Sequence, residues 1–252
     1  MHLPTNGLLI LPFIFGLIIG SFLNVLIYRL PRDISIIKPG SHCPKCKTQI
    51  PFYRNIPLFS YIFQLGKCIV CKENISIRYP LVELVTGCIW LFAFTNYPMS
   101  NAIIFASFVS TLVAISFIDA EFMIIPISLL FVGLLVLILN YFINEVSVLK
   151  SLYGALFGFA YLGSMILITR LIFKKQTMGY GDLLLIIILG AWVGQVDIFV
   201  TILLSAIIGL LVWTIFGVVN GFQRELALPF APFLSVSAVI VRVFNIDIMN
   251  FI

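Results

Sequence analysis

The stretch IFVTILLSAIIGLLVWTIFGVV, residues 198–219, decides the class of fold because it carries no charged side chain. A helix of about 20 apolar residues is long enough to cross the hydrocarbon core of a bilayer. Comparable apolar runs recur along the chain and predict about eight membrane helices. These runs lie near residues 8–28, 80–97, 102–119, 125–143, 149–173, 181–196, 198–219 and 229–244. The sixth and the eighth are short for a span.

The overall composition supports the same class. Of the 252 residues, 62% are hydrophobic and only 10% are charged, whereas a soluble domain has about 45–50% apolar and about 25% charged residues. Too few polar residues are present to cover a surface in water. We therefore predict an all-α fold, a polytopic membrane helical bundle. The first apolar run lacks a charged leader and a cleavage site of the A-x-A kind, so we expect it to remain as a membrane helix.

The basic residues are concentrated in one segment. The net charge is +5, and nine of the fifteen Lys and Arg residues fall between Arg29 and Arg78. Such a cluster beside membrane spans is typical of a cytoplasmic loop, and it is also suited to contact with anionic membrane lipids. Alternating eight spans around this loop places both termini outside. We find no nucleic-acid-binding motif.

The chain divides by composition into three predicted segments: residues 1–30 as the first transmembrane helix, 31–79 as a hydrophilic cytoplasmic loop, and 80–252 as a transmembrane bundle. No repeat of 20–50 residues is evident. Pairs of glycines four residues apart place both glycines on one helix face, where two backbones can approach closely. The pairs predicted to pack in this way are Gly16/Gly20, Gly154/Gly158, Gly190/Gly194 and Gly217/Gly221.

Four cysteines in the hydrophilic loop have the spacing of a metal site. They form two Cys-x-x-Cys pairs, Cys43 with Cys46 and Cys68 with Cys71, and four thiolates arranged in this way enclose a structural zinc ion. Disulfides or free thiols are the alternatives, but disulfides rarely persist in the cytoplasm. Metal binding would supply folding free energy that so small a loop lacks. Cys88, in the second span, is expected to be a small buried hydrophobic residue.

Two aspartates lie at the ends of predicted membrane helices. Asp119 ends the third span, and Asp182 begins the sixth after Gly179 and Gly181. The predicted topology brings both to the cytoplasmic edge of the membrane. Two carboxyl groups that share a site cannot both ionise easily, so one retains a proton as an acid while the other activates water. From these residues alone, three roles remain open: helix caps, a proton relay in a transporter, or an aspartic protease.

Longer stretches of the sequence match a known family in order and along nearly the whole chain. The chain resembles the type IV prepilin peptidases, which are bifunctional leader peptidases and N-methyltransferases. The matching stretches are Gly20–Val25 with Arg29–Pro31, the two Cys-x-x-Cys pairs, Arg78–Leu84, Ile118–Ala120 with Ile125–Pro126, Met178–Asp182, and Pro229–Phe233.

The resemblance implies a function as well as a fold. It implies a helical bundle in the bacterial cytoplasmic membrane with a cytoplasmic zinc-binding loop, and an aspartic endopeptidase whose catalytic pair is Asp119 and Asp182. The implied substrates are prepilins or pseudopilins, cut after the glycine that ends a short basic leader. Methylation of the new N-terminus from S-adenosylmethionine is also implied. Glu83, with Asn24 as a second polar residue near a helix end, is the candidate for binding this methyl donor.

The sequence departs from the family pattern at a few positions. Ile127 and Ser128 stand where the family usually has Asp, Leu184 replaces a usual Lys, and Ala231 replaces a frequent Gly. None of these changes removes either aspartate. The rival hypotheses are a polytopic transporter, which would place polar residues along the midplane of the bundle, and a zinc-loop scaffold, which would need only the cysteines.

Overall fold

The computed structural model of the chain describes residues 10–144, 146–174, 179–221 and 228–244. The prediction of an all-α fold is confirmed, because these residues form nine α-helices and no strand, with only two isolated β-bridges. The helices are α1 (Ile10–Arg29), α2 (Phe59–Phe63), α3 (Arg78–Asn96), α4 (Met99–Phe122), α5 (Ile127–Asn144), α6 (Val148–Phe173), α7 (Tyr180–Val193), α8 (Asp197–Asn220) and α9 (Ala231–Phe244).

Eight of these helices coincide with the eight predicted spans, and only the short α2 was not predicted. Six of them are long and apolar enough to cross a membrane. The remaining two, α7 and α9, have 14 residues each. At about 1.5 Å per residue, such a helix is about 21 Å long, which is less than the hydrocarbon thickness of about 30 Å. The spanning role of α7 and α9 therefore stays a prediction.

The chain divides into two compact units, Met1–Ala114 and Ile115–Ile252. The boundary falls within α4. The hydrophilic loop belongs to the first unit together with α1 and α3, and the short helices α7 and α9 belong to the second. The predicted division into three segments stays a prediction.

In the first unit, α1 and α3 pack closely because glycines remove side chains from the contact. A Cβ atom built on Gly20 would lie 2.7 Å from the Cα atom of Glu83, and one built on Gly16 would lie 2.8 Å from the Cα atom of Gly87. These distances are too short for any larger residue. The predicted contact role of the Gly16/Gly20 pair is confirmed.

In the second unit, α6 and α7 approach each other in the same way. A Cβ atom on Gly154 would collide with the backbone carbonyl of Gly190, and Gly158 faces the backbone of Ile186. The predicted contacts of Gly154, Gly158 and Gly190 are confirmed. The prediction for Gly221 was wrong: this residue follows the end of α8 with a φ of +84°, and a Cβ built on it meets no described atom within 4 Å.

Two further expectations from the sequence were wrong. Cys88 is exposed on the surface of α3 rather than buried, because its helix is apolar on the outward face as well as the inward one.

The second wrong expectation was the absence of a repeat, because the hydrophilic loop contains one. Cys43 N–H donates to the carbonyl of Thr48 at 3.0 Å, and Cys68 N–H donates to that of Glu73 at 2.8 Å, an offset of 25 residues in both donor and acceptor.

The repeat extends through both halves of the loop. The bridge between His42 and Gln49 corresponds to the bridge between Lys67 and Asn74. Lys47 and Lys72, which follow the second cysteine of each pair, both have a φ of +59°. We call these two similar segments, residues 41–50 and 66–75, the first and second knuckles. Four of the ten aligned positions are identical, namely both cysteines, Lys47 with Lys72 and Ile50 with Ile75, so the sequence carries the repeat as the short pattern C-x-x-C-K-x-x-I.

Candidate active site and metal centre

Asp119 lies in the last turn of α4 and is buried, with only 6% of its surface exposed. Its Oδ2 atom accepts a hydrogen bond of 3.0 Å from the backbone N–H of Ala231. The Asp119 carboxylate also forms a hydrogen bond with the backbone of Phe230. Ala231 is the first residue of α9. The first N–H groups of a helix have no partner within the helix and carry its positive dipole end. Asp119 therefore caps a helix that follows it by more than a hundred residues.

Asp182 lies in the first turn of α7. Its Oδ2 atom accepts a hydrogen bond of 3.2 Å from the backbone N–H of Gly179, so this carboxylate caps its own helix. No hydrogen bond from a described residue reaches its other oxygen. Both aspartates are thus helix caps, which is one of the three roles that the sequence left open. Capping alone does not explain why the two residues lie near each other.

The fold of the second unit brings the two aspartates together. The charge of Asp119 acts on Asp182, so the two carboxyl groups are electrostatic neighbours. Packing accounts for this: a Cβ atom on Gly181 would lie 2.9 Å from the Cβ atom of Ile125, which follows α4. Glycine at 181 is therefore required for α7 to begin beside the end of α4. The expectation that the two aspartates meet agrees with this geometry, and their catalytic role stays a prediction.

Such a pair has the chemistry needed to activate water. Two adjacent carboxyl groups hold one proton between them, which provides a base and an acid at the same place. Asp119 is fixed by backbone groups of α9, and Asp182 is fixed by Gly179.

Three of the four residues at which the chain departs from the family pattern point away from this pair, whereas the fourth, Ala231, contacts Asp119 through its backbone N–H. Leu184 is 43% exposed, and Ile127 and Ser128 are exposed at the start of α5. A charged side chain at these positions would project outward from the helices rather than toward the aspartates. Met178, the first residue of the glycine-rich motif, lies outside the described residues.

The four cysteines of the knuckles form one cluster. All four Sγ atoms lie within 4.8 Å of one another, with 3.8 Å between those of Cys43 and Cys71 and 3.9 Å between those of Cys46 and Cys68. Four sulfurs bound to a central zinc at about 2.3 Å are about 3.8 Å apart. The described geometry therefore fits a tetrahedral metal site, with each knuckle providing two ligands.

The surroundings of Cys46 favour a thiolate. Hydrogen bonding to the side chain and backbone of Thr48 lowers the pKa of the Cys46 thiol to about 6, which favours the thiolate form that binds metals. Lys45, in the first knuckle, forms a 2.5 Å ion pair with Glu73 in the second. This pair is exposed and contributes little stability, but it joins the two knuckles across the cluster.

Glu83 is held by protein groups. Its Oε2 atom accepts a hydrogen bond of 2.8 Å from the backbone N–H of Leu58. The Glu83 carboxylate also forms a hydrogen bond with Ser21, and Glu83 is only 8% exposed. Asn24 donates to the carbonyl of Tyr79 at 3.0 Å. These side chains connect α1, α3 and the loop. The binding of a methyl donor by Glu83 stays a prediction, and its contacts favour a role in holding the loop.

Sequence reasoning missed the backbone partners of Asp119. Phe230 and Ala231 belong to a stretch that matches the family, but the sequence alone gives no reason to pair them with Asp119. The only available sign was Pro232, because proline is common in the first turn of a helix. A helix start at this point leaves N–H groups that need an acceptor.

The fold and the aspartate pair define a class of protein: a multi-pass helical membrane protein with two neighbouring carboxyl groups at helix ends and a four-cysteine cluster in a loop. Residues 14–97 match the Bacterial Peptidase A24 N-terminal domain, and residues 105–214 match the Type IV leader peptidase family. The chain belongs to the type IV leader peptidase family.

Relatives of similar length support this assignment. The chain is 35% identical to the prepilin leader peptidase/N-methyltransferase of Pseudomonas aeruginosa, over 88% of this chain and 85% of the relative. It is 35% identical to the protein of the same name from Neisseria gonorrhoeae, over 92% and 89%. It is 31% identical to that of Legionella pneumophila, over 94% and 91%. No solved structure matches the chain significantly.

Proposed function

We propose that this protein is a membrane aspartic endopeptidase that removes the short basic leader of prepilin-like substrates at the cytoplasmic face of the bacterial inner membrane. The observation that carries the proposal is the juxtaposition of Asp119 and Asp182 in a member of the type IV leader peptidase family. A transporter would place polar residues along the midplane of the bundle and a scaffold would need only the cysteines, whereas here two carboxyl groups at helix ends interact electrostatically, which favours the peptidase.

The geometry supports a general acid–base mechanism. In the proposed reaction, the ionised carboxylate of the pair takes a proton from a water molecule whose oxygen attacks the scissile carbonyl carbon. The protonated carboxyl group donates a hydrogen bond to the carbonyl oxygen and stabilises the charge that develops there. The C–N bond then breaks as the leaving amine takes up a proton. The N–H groups that hold Asp119 and Asp182 keep both carboxyl groups in position throughout.

Single and double substitutions test this mechanism. Asp119→Asn and Asp182→Asn preserve size while removing acid–base capacity, and we expect each to lower the rate of leader cleavage by at least about 10³-fold. The double variant should be little slower than either single variant, because the two residues act as a unit. Glu121→Gln provides a matched control at an exposed acid two residues from Asp119.

The assay measures cleavage of a prepilin-like substrate in membranes after normal insertion of each variant has been verified. Near-normal turnover by either aspartate variant would refute the aspartyl mechanism. Unimpaired cleavage by both, with no effect on ion-coupled transport, would favour the scaffold hypothesis, in which only the cysteines matter. Loss of ion-coupled transport together with normal cleavage would favour the transporter hypothesis.

We also propose that the four-cysteine cluster binds one structural zinc ion and that the enzyme methylates the cleaved N-terminus. Zinc would be held by Cys43, Cys46, Cys68 and Cys71, and it would join the two knuckles. S-adenosylmethionine would supply the methyl group. Because Glu83 is engaged by Leu58 and offers little open surface, the methylation proposal rests on the family relationship.

Mass spectrometry of a processed substrate tests methylation separately from cleavage. A mass increase of one methyl group is expected in the presence of S-adenosylmethionine and not in its absence. A cleaved but unmethylated product at saturating methyl donor would limit the protein to peptidase activity.

A further inference from the structure

The short helix α2 has its apolar face directed outward. Phe59, Ile62 and Phe63 share one face of the helix, and all three are exposed, Phe63 by 83%. The opposite, half-buried face carries the more polar residues Ser60, Tyr61 and Gln64. A helix in contact with water normally has the reverse arrangement. The orientation of α2 therefore requires an explanation.

The exposed apolar area extends beyond the helix itself. Leu65, which follows α2, is 84% exposed, and with Phe63 it lines a shallow groove that also includes Lys67 and Lys72. We call Phe59, Ile62, Phe63 and Leu65 the α2 surface. It lies in a hydrophilic loop and not in a membrane-spanning helix, so the lipid contacts of the spans do not account for it. Contiguous apolar patches of this kind mark interaction sites.

The charge around the α2 surface selects the kind of partner. Residues 31–79 contain eight basic and two acidic residues, and one of these acids, Glu73, is paired with Lys45. Lys67 and Lys72 are exposed at the groove. This charge attracts an anionic partner and repels the basic leader of the proposed substrate.

The position of α2 identifies that partner as the membrane. The loop is joined to membrane helices at both ends, at Arg29 and Arg78. The hydrogen bond from the N–H of Leu58 to Glu83 then fixes the start of α2 beside the second turn of α3. A residue at that height on a spanning helix lies within about 8 Å of the helix end, at the level of the lipid head groups. The α2 surface is held where lipid is within reach.

We propose that the α2 surface docks into the head-group region of the bilayer, with a preference for anionic lipids. Phe63 and Leu65 insert at the boundary of the acyl chains, and Lys67 and Lys72 lie among the lipid phosphates. Amphipathic segments with aromatic residues on one side and lysines beside them bind membrane interfaces in this way. Lipid then covers the apolar surface that the protein leaves exposed.

Quenching of an introduced tryptophan tests this inference in the full-length protein. Phe63→Trp is reconstituted in nanodiscs of phosphatidylcholine with phosphatidylglycerol, some carrying brominated acyl chains, and the signal of the unmodified chain is subtracted. Ile37→Trp is the matched control, because Ile37 is 78% exposed in the same loop but outside the α2 surface. Leu65→Trp provides a second probe if the first variant does not fold, as judged by its circular dichroism.

We expect brominated lipid to quench the tryptophan at 63 at least about twofold more strongly than that at 37, and aqueous iodide to show the opposite order. Phosphatidylcholine alone, or Lys67→Gln with Lys72→Gln, should reduce the lipid quenching at 63 by about twofold or more. Iodide quenching equal to that of the control would overturn the proposal. So would lipid quenching unchanged in pure phosphatidylcholine, or protection that arises only when a prepilin-like substrate is added.

Discussion

The knuckle cluster and the aspartate pair are assembled over very different distances in the sequence. The knuckles place four sulfurs together from two segments that are 25 residues apart and share one backbone pattern. The aspartate pair draws on the end of α4 and the starts of α7 and α9, and it depends on glycine contacts between helices. A local pattern can be read from spacing, whereas a site built by helix packing depends on contacts that spacing does not reveal.

Loss of one knuckle's ligands should have the largest effect. Cys43→Ser with Cys46→Ser should abolish the binding of about one zinc per chain and remove the hydrogen-exchange protection of residues 41–50 and 66–75, because structural zinc supplies about 10–16 kcal/mol to such folds. Elemental analysis and hydrogen exchange of purified protein measure both effects. Cys88→Ser, at an exposed cysteine on α3, is the control and should retain the metal. Retained metal in the double variant, or disulfides in the freshly isolated protein, would contradict the site.

Removal of one backbone donor should disturb the aspartate pair specifically. Ala231→Pro deletes the N–H that bonds to Asp119 at a position where proline is compatible with a helix start. Because a hydrogen bond to a charged group contributes about 1.5–3 kcal/mol, we expect leader cleavage to fall by about 10- to 100-fold. Ala231→Gly keeps the donor and should cleave at a nearly normal rate. Equal rates for the two variants would show that this hydrogen bond does not matter.

Crowding the α6–α7 contact should have a smaller effect that spreads through the second unit. A methyl group at Gly154 collides with the carbonyl of Gly190, so Gly154→Ala should lower the free energy of unfolding by about 1–3 kcal/mol. At Gly163, on the same helix, the nearest atom is 3.8 Å away in the side chain of Leu183. Gly163→Ala should therefore be neutral or slightly stabilising. Thermal unfolding in detergent compares the two, and equal stability would argue against close α6–α7 packing.

The smallest expected effect concerns the link between the loop and α3. Glu83→Gln keeps an acceptor for the N–H of Leu58 but removes its charge, which weakens the hydrogen bond by about 1 kcal/mol. Hydrogen exchange at Leu58 and along α2 should accelerate by about fivefold, and Glu83→Ala should accelerate it further. Residues 41–50 serve as an internal reference whose exchange should not change. Unaltered exchange at Leu58 in Glu83→Ala would mean that Glu83 does not hold the loop.

The sequence predicted the long helices well because a bilayer demands uninterrupted apolar runs of a fixed minimum length. It also predicted that four cysteines and two aspartates would each come together. It did not predict the outward apolar face of α2, because a five-residue helix is too short to show a period. It gave Cys88 the wrong environment, since in a membrane helix apolar residues face lipid as well as the interior. The role of Ala231 was hidden because its contact is made by a backbone atom, which every residue type but proline possesses.

The similarity of the two knuckles has a consequence for stoichiometry. Each knuckle offers half of a tetrahedral ligand set on nearly the same backbone, so the loop is in effect a dimer of a ten-residue unit whose halves share one chain. Joining two weak bidentate chelators raises their effective concentration for each other to about the millimolar range. A free peptide with the sequence of residues 41–50 should accordingly bind zinc as a 2:1 complex, and far more weakly than the tethered pair does.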